Sequence, residues 1–208
     1  MRKIILTLMV FSAGLSAIAQ NTYGLDDSNP RATKHQKAMS AWHKDMAEFR
    51  ARSQENRQLN ELADSLAGVQ GLAALRNKDF VLEASTVTFR TGATAFVNSA
   101  TNFISVKGDR AVVQISPSDY ASGPNGVGGV TVDGSISGYQ VNTDKKGRVT
   151  MTMNVMGIGI NAQVEVYMYP GSNQANATVY PNFNSNTVWL QGNLVPYANS
   201  NVFEGNSL

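Results

Sequence analysis

From Asn77 to about Pro196, apolar and polar residues alternate with period two, interrupted at close intervals by turn-forming residues. That pattern predicts an all-β domain. The expected strands are 79–90, 102–107, 110–116, 128–133, 135–143, 148–156, 159–169, 175–181 and 187–195, with "KGD" and "DKKG" as tight turns. In "VTMTMNVMGIGINAQVEVYMYPG" (149–171) the phase of the alternation flips, with apolar residues at odd numbers up to Val155 and at even ones from Ile160. A two-residue turn at Gly157-Ile158 accounts for the flip, because it sets Val155 against Ile160, Met153 against Ala162 and Met151 against Val164, all on one face. The other face carries Thr150, Thr152, Asn154, Gln163, Glu165, Tyr167 and Tyr169 and is expected in water. Consecutive hairpins with one buried and one wet face predict a mainly β fold, an antiparallel β-barrel or β-sandwich of about 8–10 strands.

Residues 31–76 read differently. They are rich in Ala, Leu, Lys, Arg, Gln and Glu and hold no proline, so a helical segment precedes the β domain. Two stripes repeat at spacings of three and four: Met39, Trp42, Met46 and Phe49, then Leu59, Leu62, Leu66 and Val69. On one straight helix the stripes would lie about 160° apart. The expectation is therefore a break in "RARSQENR" (50–57), giving two helices that both pack on the domain's own sheet, since exposed stripes of this size are uncommon on monomers. The alternative is that one stripe meets a partner, and the candidate interface is then Met39, Trp42, Met46 and Phe49.

The ends set the expected location. "MRKIILTLMVFSAGLSAIAQ" has a basic start, a short apolar run and the small-x-small triplet Ala17-Ile18-Ala19, the pattern of a signal peptide (1–19) cleaved after Ala19. Residues 20–30 read as a flexible lead-in, 77–196 as the β domain and 197–208 as a C-terminal tail. The expected product is secreted or periplasmic, does not span a membrane after cleavage, and is not a lipoprotein, because the chain has no cysteine. The missing cysteines also remove thiol catalysis and thiolate metal sites. Loss of Arg2 and Lys3 with the signal peptide takes the 17 basic residues to parity with the 15 acidic ones, so no basic face for nucleic acid is expected.

Motifs for catalysis are weak. His35 and His43 are the only histidines, and on one helix they would sit about 12 Å apart along the axis, too far to share a metal ion. "GSISG" (134–138) has Ile136 where a hydrolase elbow needs its serine, and "GPNGVGGV" (123–130) lacks the Lys and Ser/Thr of a phosphate loop. Glu83 and Glu165 are the only glutamates in expected strands and form no evident pair. No cofactor, metal or catalytic residue is expected, and the balance points away from an enzyme. Met151, Met153 and Met168 remain. Core packing is their ordinary role, yet a barrel lined with methionine could hold a small apolar ligand. Tyr167 and Tyr169, with Tyr139 beside them, could make a sugar- or protein-binding surface.

The segments "NKDFVLEAS" (77–85), "TNFISVKGDRAVVQIS" (101–116), "GVGGVTVDGSISGY" (126–139), "ANATVY" and "VWLQGNLVP" resemble an uncharacterised family of exported bacterial proteins, the domain of unknown function numbered 4251, frequent among gut anaerobes. The resemblance spans about Leu72 to Pro196. It implies the fold and transfers no activity or site residue. Two roles are expected from the methionine face and the helix stripe: binding of a small apolar ligand or an envelope partner, or self-association as a homo-oligomer through the N-terminal helices. "DSL" (64–66) and "NAT" (176–178) are candidate glycosylation sites.

Overall fold

Alternation is realised strand by strand. The computed structural model describes residues 30–116, 129–158, 161–182 and 187–205, the side chain of Ala32 excepted. Its elements are a helix α1 (Pro30–Arg76) and nine strands: β1 (Asp79–Phe89), β2 (Thr94–Phe96), β3 (Phe103–Lys107), β4 (Arg110–Ile115), β5 (Val130–Thr143), β6 (Val149–Gly157), β7 (Asn161–Met168), β8 (Gln174–Pro181) and β9 (Val188–Pro196). A 3-10 turn, Tyr197–Asn199, follows. The chain divides into two compact units, Met1–Ser53 and Gln54–Leu208.

Every strand pairing is antiparallel. Strands β3 to β9 follow one another in sequence order, and β1 joins β3 on one side and β9 on the other. The sheet therefore closes into an eight-stranded barrel, which removes the exposed edges that a sandwich would leave. The ninth strand, β2, adds to β1 through Thr86 to Thr88, beyond the point where β3 ends. Residues at alternate positions fill the interior, among them Phe80, Leu82, Ile104, Val113, Met151, Met153, Val164, Leu190 and Leu194. An eight-stranded barrel is just wide enough for side chains to occupy its axis.

Three sequence expectations change. The β6–β7 hairpin pairs Val155 with Ala162, Met153 with Val164 and Met151 with Val166, a register two residues away from the expected one. Met156 faces Asn161 and Gly157 ends β6, so no two-residue Gly157-Ile158 turn closes the hairpin; residues 159 and 160 lie outside the described residues. Because side chains alternate with period two, a shift of two leaves every residue on its expected face.

Second, the expected strands 128–133 and 135–143 are one strand, β5, with a bulge between Ser137 and Gln140. Gly134 does not turn the chain. It sits opposite Gly157, and a Cβ there would lie 2.4 Å from the carbonyl oxygen of Met156, so glycine serves close strand approach.

Third, α1 is a single unbroken helix of 47 residues. Pro30 supplies the fixed φ suited to a first helical position, and no glycine follows before Gly68. The polar stretch 50–57 continues the helix, since Arg, Gln, Glu and Ala are all good helix formers.

Only the last two turns of α1 enter the core. Gly68, Gly71 and Leu75 are buried and Leu72 is partly buried, at spacings of three, one and three that make one helix face. Gly68 presses on the backbone of Ser172 and Gly71 on the carbonyl of Leu194, at 3.0 Å and 3.1 Å for an added Cβ. Leu75 reaches the barrel interior, and the Tyr139 hydroxyl donates to the Leu75 carbonyl. The helix ends as Asn77 N–H donates to Ala73 at 3.0 Å and Lys78 takes a left-handed φ of 54°. Lys78 is held there by Asp109 at 3.0 Å and by the Tyr139 ring 5.3 Å away.

The outer face of β1, β3 and β4 is also covered. Val81, Phe103 and Val112 form a second apolar cluster, packed under Val195, Tyr197 and Val202. Residues 201–205 are held down by Phe203 N–H to Ala100 O at 2.8 Å, Gln114 Nε2 to Phe203 O at 2.9 Å and Gly205 N–H to Gln114 Oε1 at 2.8 Å. Arg110 bridges the same segment by pairing with both Asp133 and Glu204.

Two predictions follow from the barrel's closure and its helical plug. Gly192 faces Ala84 where Ser85 bulges out of β1, and a Cβ there would meet the Glu83 carbonyl at 1.9 Å. Gly192→Ala is expected to cost about 1–3 kcal/mol by forcing β1 and β9 apart, read as a lower Tm. Burial raises the Tyr139 phenol above its ordinary range, so the folded state keeps its proton where the unfolded chain begins to lose it, near pH 10. The sign follows: this contribution is complete below about pH 10 and is lost as pH rises further. Tyr139→Phe should lower stability by about 1 kcal/mol at pH 7 and weaken the alkaline loss, measured by urea titrations at pH 7 and pH 11.

Candidate functional site

Three surfaces carry the residues singled out by sequence. In the barrel interior, Met151 and Met153 project from β6 and Met168 from β7, opposite Val166, Val164 and Val149. Each is 0–5% exposed and belongs to the one large interior cluster, together with Leu75 from the helix. The structure thus brings the three methionines onto one inner wall. The helix end closes the barrel on the side of the β5–β6 and β7–β8 turns, where Arg76 Nη2 reaches Thr143 Oγ1 at 3.5 Å.

The helix stripes are exposed. Trp42 is 52% exposed, Met39 and Phe49 are also exposed and Met46 is half-buried. Leu59, Leu62, Leu66 and Val69 are 57–68% exposed. The expectation that both stripes turn inward is thereby corrected. What anchors the helix is its Gly68–Leu75 face, one turn beyond where the sequence suggested, and glycine hid that face because it adds nothing to an apolar stripe. His35 and His43 lie exposed on α1, with the His43 ring edge-on to Trp42 at 5.0 Å.

The third surface is the outer face of β7, β8 and β9. Tyr167 and Tyr169 point outward from β7 and just beyond it, Tyr180 from β8 and Trp189 from β9, each 42–47% exposed. Tyr139 is not with them. It is partly buried, packs against the interior cluster and donates to Leu75, so its assignment to the outer face is corrected. Tyr180 and Trp189 were missed by sequence reasoning, although the same parity argument applied to β8 and β9 places them there. Two of the rings are tied down: Tyr167 Oη donates to Glu165 Oε1 at 2.6 Å, and Asn176 Nδ2 donates to Tyr169 Oη at 2.8 Å. The Glu165 bond raises the Tyr167 hydroxyl above its usual range and keeps it a neutral donor.

The acidic residues considered for catalysis have separate partners. Glu83 Oε1 accepts from the Asn201 N–H at 3.2 Å, whereas Glu165 accepts from Tyr167. "GSISG" runs inside β5, and of "GPNGVGGV" residues 123–128 lie outside the described residues. Among the described residues no group of three His, Asp or Glu could hold a metal ion, and no helix is long and apolar enough to cross a membrane.

Comparison with known proteins places this geometry. The model of a domain of unknown function, DUF4251, matches residues 69–194, from the anchoring turns of α1 through almost all of β9. A crystal structure of a DUF4251 family protein from Bacteroides eggerthii DSM 20697, at 1.95 Å resolution, is 46% identical, with a TM-score of 0.60. The match covers 69% of this chain and 96% of that one. No curated protein matches the chain. The stripe at Met39 to Phe49 precedes the family match, whereas the barrel, its methionine wall and its aromatic outer face fall within it, and the chain belongs to the DUF4251 family.

Proposed function

We propose that this is an exported, non-enzymatic protein of the bacterial envelope, freed of its signal peptide after Ala19, whose barrel anchors α1 as a docking element for an envelope protein. One observation carries the reading: Leu59, Leu62, Leu66 and Val69 remain 57–68% exposed on a helix whose neighbouring face is buried in the barrel. Water-exposed leucines at this spacing cost solubility and contribute nothing to the barrel's own core, and a helical partner can bury them in a groove. The Met39, Trp42, Met46 and Phe49 stripe offers a second patch of the same kind, and pairing with another copy of the chain is the self-associating form of the same reading.

The stability consequence is direct. Leu62→Asp and Leu66→Asp together should leave the Tm of the isolated barrel protein nearly unchanged, within about 0.5 kcal/mol per site, as for surface substitutions. Burial against the sheet would instead cost several kcal/mol. Docking itself is tested by placing a photo-crosslinking amino acid at Leu62, at Trp42 and, as a control, at exposed Glu55 in the native host. Adducts at the stripe positions and none at Glu55 are expected; equal labelling at all three, or none, would overturn the reading.

The methionine wall favours a second reading, binding of a small apolar ligand inside the barrel. Methionine has three rotatable bonds and adapts its shape to varied apolar neighbours, and Met151, Met153 and Met168 stand together on one wall. Native mass spectrometry of residues 20–208 purified from the host tests it. Extra mass that vanishes on denaturation supports the ligand, and a bare chain at its sequence mass rejects it.

A further inference from the structure

The outer face of β6 to β9 has a composition that neither helix docking nor barrel closure requires. Outward positions there carry mostly threonine, asparagine, glutamine and aromatic residues, with Met156 and Val195 at the strand ends, and Glu165 is the one ionisable carboxylate among them; no lysine or arginine projects outward from within the four strands. One row across the sheet runs Thr150, Tyr167, Asn176, Gln191. Half-exposed rings stand in the adjoining rows at Tyr169 and Trp189, and Tyr180 one row beyond Trp189.

We infer that this face binds a neutral polysaccharide. Sugar rings present a C–H face that stacks on aromatic rings and a rim of hydroxyls that exchange hydrogen bonds with amides and alcohols, and this face supplies both kinds of group in alternation. The charge pattern narrows the class: Arg148, just before β6 and beside Tyr169, is paired with Asp144 at 2.7 Å, so an anionic polymer would meet Glu165 with no unpaired cation to offset it, and the ligand is uncharged. The rings are already oriented, Tyr167 by Glu165 and Tyr169 by Asn176, which lowers the entropy lost on binding. Asn176 adds an independent sign. Its Oδ1 is a buried side-chain oxygen with no hydrogen-bond partner, and turning the amide over would orphan the nitrogen in its place. A ligand hydroxyl that reaches Oδ1 and donates to it completes the amide while the bond from Nδ2 to Tyr169 stays in place.

The test is electrophoresis of the full mature chain through native gels containing hydroxyethylcellulose, soluble starch or arabinoxylan, with polygalacturonate as the anionic comparison. At least one neutral polymer should retard the protein and polygalacturonate should not. Trp189→Ala and Tyr180→Ala should each weaken the retardation about tenfold at unchanged Tm, the loss of one stacking ring. If Trp189→Ala impairs folding, Tyr180→Ala alone decides. Free passage through all three neutral gels, equal retardation in polygalacturonate, or retardation indifferent to both substitutions would overturn the proposal. So would a wild-type dimer, seen by sedimentation, that dissolves on Trp189→Ala, since a second copy would then cover the face.

Discussion

The pairing of β1 with β9 is the constraint on which the rest of the molecule rests. Without it the eight strands would form an open sheet whose two edges invite further strands, and the methionine wall would have no opposite wall to pack against. With it, each apolar residue at the inner positions contacts others across the axis, from Phe80 and Leu82 on β1 to Leu190 and Leu194 on β9. The closure needs a local irregularity. β1 bulges at Ser85 and β9 places Gly192 opposite Ala84, so the strands come close enough to join where a side chain at 192 would hold them apart.

Closure also leaves two open ends, and α1 fills one. The helix does so with a face built of two glycines and two leucines, Gly68, Gly71, Leu72 and Leu75, which lets its backbone press on the Ser172 and Leu194 backbones while Leu75 enters the core. Tyr139, reaching from β5 to the Leu75 carbonyl, ties the plug to the wall, and Lys78 turns the chain from helix into β1 under the same ring. On the turns just before this face, Leu59, Leu62, Leu66 and Val69 stay exposed.

How much of this the sequence carried depends on which periodicity was at stake. Period two was robust: a register error of two residues in the β6–β7 hairpin left Met151, Met153 and Met168 on the inner face and Tyr167 and Tyr169 on the outer one. Glycine was ambiguous, because Gly134 permits close strand approach where a gap between two strands was expected, and the packing role of Gly68 and Gly71 within the helix leaves no apolar signal in the sequence. The helix stripes were seen correctly as apolar, but a stripe does not say what covers it. Leu59, Leu62, Leu66 and Val69 look inward-facing by composition and are exposed, whereas Leu75 and its glycines look like a helix end and are the anchor. The antiparallel β domain and the family were legible from turn and alternation patterns, but barrel against sandwich was not, because alternation fixes the faces and not the β1–β9 closure; the aromatic outer face was half legible, since Tyr180 and Trp189 follow from the same parity as Tyr167.

The account's central claim is that α1 is anchored to the barrel by its last two turns alone and keeps its leucine stripe free for a partner. Hydrogen–deuterium exchange of the purified mature protein, resolved by peptide along α1, tests it most directly. Amides from about residue 70 to 76 should exchange on the slow timescale of the barrel strands, and those from 57 to 66 much faster, at the rate of a helix without tertiary support. Equal, strand-like protection across 57 to 66 in the monomer would show that the stripe is packed within the molecule and would contradict the account.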